Sequence, residues 1–416
     1  MFRENRFYLM NKDTKVAIFE STRNEFKEVQ FRTIEQYGRL PIGINSIQTW
    51  IENRKAPKHR AHIEELLRSI GCYDLDGYIR ITHALNLNDT FWVKPVDSDL
   101  EWNKVSLFQN KFDETIAHIA FEGGMYGEQF TTTSPEFGTD GAFAKCWIQD
   151  EDNHIYLLKR GSSGARNTGL EPYSEMYTSQ LAEIICPESV KYEVVQYRGK
   201  LASKCPLFTS EKEGFAPIYR CLDANAGIKE MLEYYASVGS EDAFRRMLVL
   251  DALSLNTDRH KGNFGIIFDT DTMEPIRMAP VFDNNQALLP YAEDADFKKE
   301  NIDRYLAERP VRIGNDFNEV AHSVLTPEIT SDLQNLKGFK FDQDTNYALP
   351  AERIQHLEEI INMQIDNILH DRHLYMSADF KKPGLYAEKY RAKAIEQNKG
   401  IQLPGKDKTR PSNLRK

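Results

Sequence analysis

The sequence predicts an α+β protein with strands gathered in its first half and helices in its second. Three observations carry that expectation. Residues 7–35, 134–160 and 190–222 hold short β-branched and aromatic runs bounded by polar turns. Residues 243–255 and 351–370 hold apolar runs too long for ordinary strands. The chain has 416 residues, more than one hydrophobic core commonly holds, about 250 to 300, so two or three domains are expected.

Taken in order, residues 7–35 mix apolar stretches with charges and read as strands. SIQTWIENRKAPKHRAHIEELLRSI, 46–70, reads as two short helices broken at Pro57. Its later part is faintly similar to the closing helix of repressor-type helix-turn-helix domains. No helix pair with a glycine-bearing turn precedes it, so a structural helix is favoured over DNA reading. GAFAKCWI and HIYLLKRG, joined by the polar QDEDN, form a hairpin, with the glycine-bearing turn SPEFGTDG before it and GSSGARNTG after it. EPYSEMYTSQLAEII opens a helix with Pro172 in its first turn and Met176, Tyr177, Leu181, Ile184 and Ile185 along one side.

KYEVVQYRGKLA and APIYRCLD continue as strands, and beyond them helices dominate. AFRRMLVLDALSL, 243–255, is apolar all round and reads as a buried helix that delivers LNTDRHKGNFGI. FGIIF, the turn DTDT and PIRMAPVF make a second hairpin ending at Asp283, and the last helix spans 351–370. Four units follow: a leading region 1–125, a lobe 126–222 with the glycine turn, a helical lobe 223–375 and a basic tail 376–416.

Composition removes several function classes. With 41% apolar and 28% charged residues the chain is of ordinary soluble composition, and no apolar run nears the roughly 18 residues that span a bilayer. The charged start MFRENRFYLMNKD lacks a secretory pattern, so a cytoplasmic location is expected. Five scattered cysteines outside any C-x-x-C pair read as free buried thiols. A net charge of −10 argues against a general nucleic-acid binder. From Lys381 onward eleven bases face three acids, which leaves +8 on the tail and −18 on the rest. The tail reads as a solvated terminus, with a docking arm for an acidic partner or RNA as the sharper alternative. His59 with His62, and His370 with His373, lack the acidic partner of a zinc motif. FDTDTMEP has Met273 and Glu274 where a calcium loop needs an oxygen ligand and glycine.

What remains points to phosphoryl transfer, which asks a protein chiefly for positioning and charge neutralisation. Lys159 ends a strand with Ile155 and Leu157 on its face, so the ammonium can reach phosphate while the apolar pair stacks on adenine. Glu175, on the next helix, can hold that ammonium. Gly138, Thr139, Asp140 and Gly141 supply a backbone cradle. Asp258 precedes Asn263 by five positions, the spacing between base and metal-binding asparagine in a kinase catalytic loop, and Asp283 follows the next hairpin as a second magnesium oxygen. Arg259, His260 and Lys261 lie between them and are expected to steady the acidic cluster and keep Asp258 ionised.

TSPEFGTDGAFAKCW, YLLKRGS, SEMYTSQLAE, LNTDRHKGNFG and APVFDNN, in this order, resemble the bacterial HipA-like serine/threonine kinases, including the toxins of HipBA-type toxin–antitoxin modules. The resemblance spans roughly residues 130–290. Residues 7–110, with LPIGI, WIENRKAPKHR and ALNLNDTFWVKP, are similar to the leading region of one branch of that family. It implies a two-lobed protein-kinase-like fold, with a mixed β N-lobe and a mainly helical C-lobe, that uses ATP and magnesium to phosphorylate serine or threonine on a protein. A cognate antitoxin is an implied partner, and nucleic acid is expected only through it or the basic tail.

By position, Asp258 becomes the base, Asn263 and Asp283 the metal ligands, and Lys159 the phosphate-binding lysine, with Glu175 and His260 on the nucleotide side. Ser134 falls near the serine that some members autophosphorylate, and Thr131 to Thr133 are rival acceptors. Phosphate there adds about −1.5 to −2 of charge beside the ATP phosphates and is expected to eject the turn. The competing readings are a small-molecule or lipid kinase and a non-catalytic pseudokinase acting as a regulatory partner.

Overall fold

A computed structural model describes residues 5–55, 67–68, 72–122, 134–139, 143–164, 167–343 and 346–372. Alternation builds the leading sheet. β1 (Arg6–Asn11), β2 (Thr14–Arg23) and β3 (Val29–Gln36) are the strands read from residues 7–35, and β4 (Phe91–Pro95) joins them in the antiparallel order β3-β2-β1-β4. Phe7 sits opposite Phe19 and stacks on it at 5.5 Å, while Phe31 meets Phe19 edge-on at 5.7 Å. The helices Ile47–Arg54 and Leu75–Thr82 bury Trp50, Ile51, Tyr78 and Ile79 in the same core. Pro57, the expected break, lies outside the described residues, as do Asp140, Gly141, Thr131 to Thr133 and the basic tail.

The second sheet holds the expected hairpin, β5 (Lys145–Gln149) with β6 (Ile155–Arg160), and adds β7 (Glu193–Tyr197) and β8 (Lys200–Pro206) in the order β5-β6-β8-β7. The helix Glu171–Ile185 packs on this sheet and buries Met176, Tyr177 and Leu181. β9 (Glu213–Pro217) departs from expectation: it pairs with β10 (Gly265–Asp269), which pairs in turn with β11 (Pro275–Met278). By pairing, the 213–217 strand therefore belongs to the sheet of the helical lobe and not to the unit read as 126–222. The crossing between lobes falls in the short stretch after β8.

Helices then dominate: Ile228–Ser237, Glu241–Ser254, Lys299–Ala307, Phe317–Ser323, Pro327–Asn335 and Ala351–Leu369. Glu241–Ser254 is the central one, with Phe244 and every residue from Met247 to Ser254 buried. It ends at Leu255, whose φ of +53° is left-handed. Such a cap reverses the chain at once, a role more often given to glycine, and it throws residues 256–263 onto the seam between the lobes. Among the described residues no helix is long and apolar enough to cross a membrane.

Candidate active site

The turn after Leu255 is tied down by a buried arginine. Arg259 uses all five of its N–H donors: Nε and Nη2 on the Asp251 carboxylate at 3.0 Å, Nη1 on the carbonyls of Asn263 (3.0 Å) and Phe282 (2.6 Å), and Nη2 also on Asn284 Oδ1 (2.5 Å). It thereby binds the turn 256–263, the central helix and the Asp283 segment together. Lys261 donates instead to the carbonyls of Ala224 (2.7 Å) and Ala226 (2.8 Å). Of the three bases expected to steady the acidic cluster, His260 and Arg259 lower Asp258 and Arg259 also lowers Asp283, whereas Lys261 is engaged elsewhere. His260 contributes the largest favourable charge at Asp258, and Arg312 follows at 3.5 Å from Oδ1.

Asp258 and Asn263 meet at the seam, where Asn263 Nδ2 donates to the Asp258 carbonyl at 3.1 Å. Burial pushes the Asp258 carboxyl above its ordinary range; His260 and Arg312 pull it back, and the charge of nearby Asp283 adds to the rise. From the other lobe, Lys159 Nζ reaches Glu175 Oε1 at 2.6 Å and Asp283 Oδ1 at 2.8 Å. Glu175 also accepts from the Ser203 hydroxyl. Burial works against charge at all three. Even so Asp283, then Glu175, hold Lys159 well above its ordinary value, and Lys159, then Lys145, hold Asp283 at about 2. Burial raises the Glu175 carboxyl and the Lys159 ammonium pulls it down, while Lys159 joins Glu175 on its own side of the seam to Asp283 on the other.

Asp283 has a φ of +57°, and its N–H donates to the Tyr192 hydroxyl at 3.1 Å. The ring of Tyr192 lies 5.7 Å from Lys159 Nζ. Leu157 packs with Phe208 and Phe282 against Val190, Tyr192 and Cys205, while Ile155 packs in a separate cluster with Trp147 and Leu207. The two residues expected to stack on one adenine thus serve different packings, and only Leu157 lies with Phe282 beside Asp283.

The described part of the glycine turn, residues 134–139, is held by side-chain hydrogen bonds. Ser134 is buried, and its hydroxyl donates to Glu136 Oε2. Glu136 Oε1 accepts from the Trp147 N–H at 2.9 Å, and Trp147 Nε1 donates to Thr139 Oγ1 at 2.9 Å. Gly138 is buried in the short 3-10 turn Pro135–Gly138, and a Cβ there would meet the Leu85 carbonyl at 2.7 Å. Gly138 is packed against the leading region and Thr139 is held to Trp147, while Asp140 and Gly141 lie outside the described residues.

One cation was missed in the sequence. Lys145 stands opposite Lys159 in the hairpin, so both side chains share one face, and Lys145 ranks behind Lys159 among the charges that hold Asp283 down. The hairpin register, counted outward from the turn at 150–154, carried that information. The oxygen donors Asp283, Asp258 and Asn263 are of the hard kind that suits magnesium. Asn285 Oδ1, next in line, is buried with no hydrogen-bond partner among the described residues. Among the described residues no group of three or more His, Cys, Asp or Glu is arranged to hold a metal. One or two carboxylates with the remaining positions left to phosphate and water is the usual protein share of a magnesium–nucleotide site, and these residues fit it.

Sheet lobe, helical lobe and a lysine–glutamate pair facing an aspartate across the seam define the class: a two-lobed, protein-kinase-like α+β fold. Two solved structures are similar. The Helicobacter pylori proinflammatory kinase CtkA overlaps 65% of this chain and 97% of its own, at 18% identity and a TM-score of 0.40. HipA of Shewanella oneidensis MR-1, determined with HipB and its operator DNA as a toxin–antitoxin system, overlaps 88% of this chain and 99% of its own, at 12% identity and a TM-score of 0.47. No protein-family model matches the chain, and no curated protein matches it in sequence. No residue role in this chain rests on either overlap.

Proposed function

We propose that this chain is an ATP-dependent serine/threonine protein kinase of the HipA-like kind. The observation that supports it best is the Lys159–Glu175–Asp283 network, made from two lobes and closed by hydrogen-bonded ion pairs at 2.6 and 2.8 Å. Kinases need that lysine–glutamate pair and that aspartate in place together. Lys159 and Lys145 would bind phosphate oxygens, Asp283 and Asn263 would hold magnesium, and Asp258 would take the proton of the attacking hydroxyl. Magnesium–ATP supplies the transferable phosphoryl group and the divalent charge that neutralises it. His260 lies beside Asp258 on the nucleotide side of the turn. His260 and Arg312 both work against the burial that raises the Asp258 carboxyl.

The sequence resemblance supplies the protein hydroxyl as acceptor and a HipB-type antitoxin as partner. Ser134 is the proposed autophosphorylation site. Its hydroxyl is buried on Glu136, so phosphate there would set two anionic groups against each other and the turn Ser134–Thr139 could not stay closed. Incubation with labelled ATP, alone and then with cell lysate, tests the reading. Label on protein serine or threonine is expected, and label confined to small molecules would replace it with a small-molecule kinase.

A further inference from the structure

The stretch ALNLNDTFW, 84–92, has no role in the chemistry above, yet it touches every part that frames the nucleotide site. Asn86 Nδ2 donates to the carbonyl of Gly138, at the end of the glycine turn. Its own Oδ1 accepts from Asn88 N–H at 2.7 Å, which fixes the amide's orientation. One residue on, the Leu87 carbonyl accepts from Thr209 Oγ1 at 2.6 Å, in the connector between lobes. One further, the Asn88 carbonyl accepts from the Phe215 N–H at 2.7 Å, in β9 of the helical lobe's sheet. Three consecutive residues therefore bond the glycine turn, the connector and the far lobe.

The stretch cannot slide, because its neighbours are pinned on both sides. Asp89 forms a buried ion pair with Arg54 at 2.6 Å, and Arg54 also donates to the Phe91 carbonyl. Trp102 Nε1, Ser106 Oγ and Gln109 Nε2 of the leading region all donate to Glu211 Oε1, in the same connector. Asn11 and Lys12 reach the β10–β11 turn at Thr270 and Asp271. At Gly138 and at Gly214 the backbone contact is so close that a Cβ would lie 2.7 Å from the Leu85 carbonyl and 3.0 Å from the Asn88 carbonyl.

We infer that residues 85–88 act as a splint across the lobe junction, and that Asn86 is a positioning residue that sets the glycine turn for nucleotide. Two-lobed kinases open and close about their connector and cover phosphate with a glycine turn. Here both elements are bonded to one rigid outside segment, so the leading region fixes the height of the turn above Lys145 and Lys159. The catalytic consequence rests on the kinase reading; the mechanical one does not.

Asn86→Asp separates the two. An aspartate keeps the oxygen that accepts from Asn88 and loses the donor to Gly138, whose carbonyl it then repels. The expected result is a KM for ATP raised about 5- to 10-fold with kcat within about 2-fold, an unfolding midpoint near that of the wild type, and faster hydrogen exchange at residues 134–139 only. Asn86→Ala, read in the same way, serves if the aspartate variant does not fold. Unchanged exchange at 134–139 would overturn the splint. Faster exchange with unchanged KM would overturn the positioning role. A wild-type protein without Asp258-dependent ATP turnover overturns the kinase reading and leaves the exchange experiment to judge the splint alone.

Discussion

The two four-stranded sheets have the same pairing sense and nearly the same size, yet one is a packing surface and the other a platform for charge. In the leading sheet the inward face carries Phe7, Phe19 and Phe31, and its charged groups stay at the rim, where Lys12 meets Asp271 and Arg32 meets Glu20. In the second sheet the hairpin turns Lys145 and Lys159 inward, both buried, and Lys159 is satisfied only by carboxylates from a helix and from the opposite lobe. An inward aromatic needs only volume around it. An inward ammonium needs a partner at bonding distance, so the second sheet dictates the position of Glu175 and Asp283 while the first dictates only that something apolar covers it.

That contrast can be broken at several levels. Phe19→Ala should cost about 3 to 5 kcal/mol of stability in a denaturant titration and leave kcat of the folded fraction unchanged; a fall in kcat would show that the leading sheet is no mere packing surface. Asp258→Asn should do the reverse, cutting turnover at least ~100-fold while the unfolding midpoint and ATP affinity stay close to wild type. Asp283→Asn should weaken nucleotide binding as well. Wild-type turnover in Asp258→Asn would remove the base.

Smaller effects sharpen the comparison. Asp283 is held at about 2 against an ordinary 3.8, so it contributes stability above pH 4 that is lost as pH falls towards 2, roughly 2 kcal/mol in all. The acid unfolding curve of Asp283→Asn should lack that component. Asp258 shifts the other way, so the acidic limb of the kcat/KM profile should lie above the ordinary aspartate range. Lys12→Ala removes an ion pair whose aspartate is 68% exposed. It should change stability by no more than about 0.5 kcal/mol, measured by thermal unfolding.

The elements that could be read in the sequence were those with local signals. The helix 171–185, the hairpin 145–160 and the spacing from Asp258 to Asn263 are each contained within about 16 residues, and the structure has them where residue pattern placed them. β4 was missed because its five residues pair with β1, some eighty positions earlier, and nothing local announces such a partner. Nothing local announces that Gly138 packs against the Leu85 carbonyl and the Asn86 side-chain amide, which lie far from it in sequence. The main partner of Arg259 was hidden for a related reason: adjacency pointed to Asp258, whereas Asp251, buried among apolar residues between Met247 and Leu253, is the carboxylate it bonds.

Arg259 has one more consequence. Its five N–H donors join the central helix to both polypeptide segments that carry the candidate metal ligands. Disordering residues 256–263 would withdraw Arg259 and leave the Asp251 carboxylate buried without its cation, so this turn cannot melt by itself as surface loops do. Order in the candidate site and global cooperativity are then the same transition, and amides in the turn should exchange no faster than those at the centre of the helix that precedes it.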